Sequence, residues 1–173
     1  MVSTEPLKVL DTIQGSNFMA IQAGIQTLKR RQLKADSFTI QVIRDPMSIV
    51  VIFKAKQPGV TSSILGVRPA LNLEVSPEDL RALLSDHEHV TVLDRIEGSS
   101  LPFIEAAVAI FHKHNLDLSL YQIEVIRNRD LIVVTFTDKD QSTIVLGNPG
   151  GRLGFEVVLR PKDLHVVRSH FIR

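Results

Sequence analysis

Residues 10–53 align on residues 93–136 without a gap, and 16 of the 44 pairs are identical. The clearest echo is "LDTIQGS" at 10–16 against "LDRIEGS" at 93–99. A second match, one residue out of step, sets "SPEDL" at 76–80 on "RPKDL" at 160–164, so the likeness runs through the chain. A chain built this way makes one supersecondary unit twice, and a face that one copy leaves apolar its twin can cover. The polar stretch "SDHEHVTV" from Ser85 marks the seam. It divides the chain into a first repeat at 1–86 and a second at 87–173, packed intimately enough to form one structural domain.

Each copy begins with a helical signature. Phe18, Ile21, Ile25 and Leu28 recur as Leu101, Ile104, Val108 and Phe111, a period near 3.6 that predicts one amphipathic helix per copy. Ser16 and Ser99, or the adjacent Asn17 and Ser100, are suited to the N-cap, since a side-chain oxygen there accepts a backbone N–H of the first turn. The repeated heptapeptide thus reads as a helix entrance, with Asp11 and Asp94 in turn or capping roles rather than as catalytic acids.

Three strand signals follow each helix. "FTIQVI" and "YQIEVI" alternate apolar with polar, as where one sheet face meets water. "MSIVVIF" and "DLIVVTF" do not alternate, and 49–53 is a run of five apolar residues, which predicts a strand covered on both faces. "LNLEV" and "FEVVL" return toward alternation, and "TSSIL" and "STIVL" are candidates for a further strand.

One helix covers one face of such a sheet, yet the middle strand asks for cover on both. The expected fold is therefore α+β: two tandem αβββ repeats, each a helix on a curled antiparallel sheet, joined as a pseudo-twofold sandwich. Edge-to-edge joining of the two sheets is the alternative, and it leaves the apolar back faces partly wet.

The order of helix and long strands, together with "GGRLGFEVVLRPKDLHVVRSHFIR" at 150–173, resembles the curled-sheet units of cystatin-like and nuclear-transport-factor-like folds. It is most similar to small bacterial immunity proteins on that plan, in which a strand after a glycine-rich loop leads through a short polar turn to a basic-ended strand. The resemblance implies a protein that binds and neutralises a partner. The Gln-Val-Val-Ala-Gly loop of cystatins is absent, with only "QPGV" at 57–60, so protease inhibition is not implied.

Composition narrows the function classes. With 44% apolar residues in 173, the chain can bury a core, and it has no Cys for a disulfide, a thiolate nucleophile or a thiolate metal site. Formal net charge is +1 and aromatics are 5%, far from the basic, ring-rich surface of a nucleic-acid binder. No apolar run approaches the roughly 20 residues of a membrane helix, and the start "MVSTEPLKVL" lacks a signal-peptide pattern. A soluble, cytoplasmic protein is expected, with neither nucleic acid nor membrane as partner, as a monomer or weak dimer.

Candidate chemistry is sparse. His87 and His89, and His112 and His114, are H-x-H pairs, but the second pair occupies the places of Lys29 and Arg31 at a helix end, where cationic side chains favour the dipole. No metal and no cofactor are expected. "LGNPGGRLG" at 146–154 is glycine-dense but precedes a strand, whereas a phosphate cradle needs a helix N-terminus. No G-x-S-x-G elbow occurs, and Glu97 and Glu105 stand opposite Gln14 and Gln22, so no acid–base pair is duplicated. The second helix carries Phe103, Ala107 and Ile110 where the first has Ala20, Gly24 and Thr27, a wider apolar stripe for burial or for a partner.

What remains is binding. Lys29, Arg30, Arg31 and Lys34 gather cations around one helix end, and with Asn148 and Arg152 they are the positions where the copies differ most. The leading expectation is a non-catalytic protein, not an enzyme, that binds an acidic protein partner, in its most concrete form a toxin. A small-ligand-binding protein or minor enzyme with a pocket in one curled sheet is the alternative.

Overall fold

The computed structural model describes residues 7–30, 32–45, 48–56, 63–68, 71–75, 91–140 and 152–172. Over these residues the protein is α+β, with two five-stranded antiparallel sheets, two α-helices and three single 3₁₀ turns. The elements are β1 (Lys8–Gln14), α1 (Gly15–Arg30), β2 (Phe38–Asp45), β3 (Ser48–Ala55), β4 (Ser63–Arg68), β5 (Leu71–Val75), β6 (Thr91–Glu97), α2 (Leu101–His112), β7 (Tyr121–Asn128), β8 (Leu131–Asp138), β9 (Gly154–Leu159) and β10 (Val166–Ile172).

The strand before each helix corrects the reading of the heptapeptide as a helix entrance. "LDTIQ" lies in β1 and "LDRIE" in β6, so each helix is entered from a strand. Neither strand pairs within its own half of the sequence. β1 is an edge of the sheet β1-β7-β8-β9-β10, and β6 is an edge of the sheet β6-β2-β3-β4-β5. The registers match residue for residue: Ile13 faces Ile123 and Asp11 faces Val125, as Ile96 faces Ile40 and Asp94 faces Val42. A bulge falls at Leu10 in one strand and at Leu93 in the other.

The chain accordingly packs as two compact units, cut after Ser16 and after Ser99. The N-terminal unit holds α1 from Asn17 onward and β2 to β6, and the C-terminal unit holds β1, α2 and β7 to β10. This division by packing differs from the division by repeat at residue 86, because each unit's edge strand is drawn from the other half.

Two glycines make this possible. A Cβ on Gly15 would lie 1.9 Å from the carbonyl oxygen of Leu118, and one on Gly98 would lie 1.6 Å from that of Ala35. Both carbonyls belong to the 3₁₀ turns, Leu118–Leu120 and Ala35–Ser37, that precede the strand being paired. The side chains expected as N-caps are also redirected. Ser100 precedes α2 with no side-chain capping bond, and its hydroxyl donates to the carboxylate of Asp11. Asn17 Nδ2 donates to Asp94 Oδ2 at 2.6 Å. A carboxylate on the incoming strand thus satisfies a polar group at a helix start, with Asn17 and Ser100 both buried.

In the N-terminal unit, α1 turns Phe18, Ile21 and Ile25 inward, the expected stripe; the Leu28 side chain lies outside the described residues. Phe53 sets its ring edge-on to Phe38, with centroids 6.4 Å apart, and presses against Gly24. Val51, Ile52 and Phe53 are all buried, so both faces of β3 are covered, while the Val50 side chain lies outside the described residues.

In the C-terminal unit, α2 buries Leu101, Ile104, Ala107, Val108 and Phe111. Of its wider stripe, Ala107 is buried and Phe103 and Ile110 are half-buried. Phe111 stacks on Phe136 at 4.4 Å and meets Tyr121 and Phe155 edge-on, so rings fill the space between helix and sheet. Ile132, Val133, Val134 and Phe136 are buried on both faces of β8. Offset and edge-to-face rings at such distances add about 0.5–1.5 kcal/mol each beyond their area.

Candidate functional site

The last part of the C-terminal unit departs from its counterpart. "FEVVL" forms β9, directly beside β8, whereas its sequence match "LNLEV" forms β5, one strand further from β3. After β9 the chain turns through Arg160–His165 and returns as β10 on the sheet edge. The turn is tied internally: Leu164, at φ 58°, donates its N–H to Arg160 O, and Arg160 donates its own to His165 O, both at 2.9 Å. Asp163 accepts from the His165 N–H and from Arg160 Nε, and these bonds hold its carboxyl below the usual carboxylate range.

β10 is the most exposed strand among those whose side chains are described. Val167 is 52% and Phe171 43% exposed, and nearby Leu153 is 48% exposed. Phe171 faces Phe155 across the β9 pairing, and its ring packs on Phe155 at 5.1 Å and on His114 at 5.2 Å. On the other face of the strand, Glu156 accepts from Arg168 at 3.3 Å and lies 3.9 Å from His170.

Phe171 and Leu153 also line a cleft of about 330 Å³, together with Leu116, Leu120, Tyr121, Asn115, Asp117 and Arg152. Its rim is organised by hydrogen bonds. The Tyr121 hydroxyl donates to Leu153 O at 3.3 Å, and burial of the ring raises its pKa. Asp117 accepts from the Ser119 hydroxyl at 2.7 Å and its N–H at 3.0 Å, which lowers its pKa. Asp138 accepts from the backbone N–H of Asp140, and it also takes bonds from the Arg152 backbone and guanidinium; these hold it below the ordinary carboxylate range.

Of the residues singled out from sequence, Arg152 lies on this rim, its guanidinium 3.1 Å from Asp138 and 3.4 Å from Asp140. Its charge is matched locally. Lys29 and Arg30 are exposed in the last turn of α1, and Lys34 is exposed ahead of the next 3₁₀ turn, all in the N-terminal unit. Arg31, Asn148, His87 and His89 lie outside the described residues. His112 and His114 are exposed near the end of α2, and among the described residues no three His, Asp or Glu side chains converge as a metal set. Glu97 pairs with Lys56. No described helix is long and apolar enough to cross a membrane.

Sequence reasoning passed over Leu153, Val167 and Phe171. For Val167 and Phe171 the available signal was the apolar residues in the otherwise basic, polar "LHVVRSHFIR". Comparison with known proteins adds no assignment: no family model, curated protein or solved structure matches the chain.

Proposed function

We propose that the chain is a non-catalytic binding protein that recognises an acidic macromolecular partner, in its most concrete form an immunity-type protein that neutralises a toxin. The observation that carries this reading is the exposure of Leu153, Leu164, Val167 and Phe171 within one short cation-bearing stretch of the C-terminal unit. Leu153 and Phe171 share one cleft, and contiguous exposed apolar surface rimmed by polar residues is what marks an interaction site. The resemblance of that same stretch to immunity proteins points the same way. Exposed Lys29, Arg30 and Lys34 supply a second cationic surface, suited to steering an acidic partner. A pocket under the sheet is disfavoured, since rings fill the space between α2 and its strands.

Within this reading the chain is a tandem duplication in a pseudo-twofold arrangement, its two copies having exchanged their first strands. The equal registers of β1 on β7 and β6 on β2 support it. Scaffold positions recur, and the ends of the copies are free to specialise.

The test is capture with the full chain as bait, followed by a binding titration of the recovered protein at increasing salt. A saturable protein partner whose affinity falls with salt is expected. Absence of any saturable protein partner, or recovery of a bound small molecule instead, overturns the reading.

A further inference from the structure

Among the described residues β10 pairs with β9 and with no other strand, so its outer edge presents backbone N–H and C=O groups at every second residue. From Arg168 to Ile172 its pairing is regular, with the one bulge at Val167. It contains neither Pro nor Lys, two of the residues that commonly blunt an edge.

Charge selects what such an edge accepts. β10 carries no carboxylate, so no register of two β10 strands offers Arg168 a counter-charge, and a second copy of this chain is a poor occupant. The stretch 160–172 holds Arg160, Lys162 and Arg168, with His165 and His170, against Asp163 alone. On β9, the single carboxylate of Glu156 serves both Arg168 and His170. A strand bearing acidic side chains supplies what this surface lacks.

The cleft adds an anchor. It meets β10 at Phe171 and is lined by Leu116, Leu120, Tyr121 and Leu153. At about 330 Å³ it lies at the small end of ligand pockets, which run from about 300 to 1,000 Å³, and suits one or two apolar side chains.

We propose that β10 is a docking edge that takes up an extended acidic segment of a partner protein as an added strand, with an apolar side chain of that segment seated in the cleft beside Phe171. Main-chain hydrogen bonds give the affinity of such strand addition, and alternate side chains give its specificity. The proposal rests on the binding reading above and deepens it by naming the surface and the chemistry of the segment.

The probe is a displayed library of random short peptides selected on the immobilised full chain. Enrichment of peptides that alternate acidic with apolar residues is expected. The leading peptide should slow amide exchange in residues 166–172, and it should lose about tenfold in affinity for the Arg168→Glu, His170→Glu variant. N-methylation of alternate peptide amides, which leaves the protein untouched, should abolish binding in one phase and spare it in the other. No enrichment, enrichment without acidic excess, equal sensitivity to both methylation phases, or concentration-dependent pairing of the chain through β10 overturns the proposal. If the partner captured from cells binds the variant as tightly as the original chain, β10 is excluded while the binding reading stands.

Discussion

The two units solve one packing problem with different side chains. In the N-terminal unit the helix has Gly24 where the sheet sends up Phe53, and the ring occupies the space a methyl would need. In the C-terminal unit the equivalent positions are Ala107 and Phe136, and Phe136 stacks instead on Phe111 of the helix. A large ring supplied by the sheet and a small residue on the helix are traded against a ring on each. The backbone pairing of β1 with β7 and of β7 with β8 matches that of β6 with β2 and of β2 with β3. Register is thus held by features common to the units, and packing is free to differ.

The hardest way to break this comparison is at the shared glycines. Gly15→Ala and Gly98→Ala each drive a Cβ into a backbone carbonyl that cannot step aside, so each should lose about 3 kcal/mol or more in urea unfolding. Tolerance of one and not the other would show that the two junctions are not equivalent.

A smaller effect tests the difference between the units. Gly24→Ala improves helix propensity by about 1 kcal/mol, yet its Cβ would lie 2.5 Å from the Phe53 ring, so a net loss of about 1 kcal/mol is expected. Ala107→Gly should also destabilise, by about 1–2 kcal/mol, through lost propensity and a lost buried methyl. Stabilisation by Gly24→Ala would mean that Phe53 moves freely.

Double-mutant cycles on Asp11 with Ser100, and on Asp94 with Asn17, should each give a coupling of about 1.5 kcal/mol, because each joins a buried polar group to a carboxylate. Unequal couplings would show that one of the two edge strands, β1 or β6, is held more tightly than the other. The last effect is on pH. Asp117, Asp138 and Asp163 all lie in the C-terminal unit with pKa values below the ordinary 3.8. A depressed pKa contributes stability that is present above 3.8 and lost as pH falls through the folded value. Amide protection in β7 to β9 should therefore weaken on acidification below about pH 4. The Asp138→Asn variant should soften that decline, and an unchanged profile would remove Asp138 from it.

The parts of this fold that were legible in sequence are those whose cause is local. A 3.6 period marks Phe18, Ile21 and Ile25 as one helix face, and an unbroken apolar run marks the strand in which Val51, Ile52 and Phe53 are buried on both faces. The role of "LDTIQGS" was not legible, because a short strand is defined by its partner, and that partner lies more than a hundred residues away. Asp11 and Asp94 looked like turn residues for the same reason. At the candidate site, Arg152 was visible as a charge in a divergent loop, and its capture by Asp138 and Asp140 was not. The exposure of Phe171 was hidden too, since burial of an apolar residue depends on what the rest of the chain brings over it.

The pairing of β1 with β7 and of β6 with β2 also sets an order in time. Gln14 in β1 meets Gln122 in β7, 108 residues later, and at about 5–20 residues per second of synthesis β1 waits about 5–20 s for its partner. β6 emerges to find β2 already made, so the N-terminal unit can close while the C-terminal unit is still being translated. Two arrangements alike in register are therefore unlike in history: one sheet grows as its chain appears, and the other holds its first strand in reserve until β7 is made. Over that interval the backbone groups of β1 that will pair with β7 are left to water.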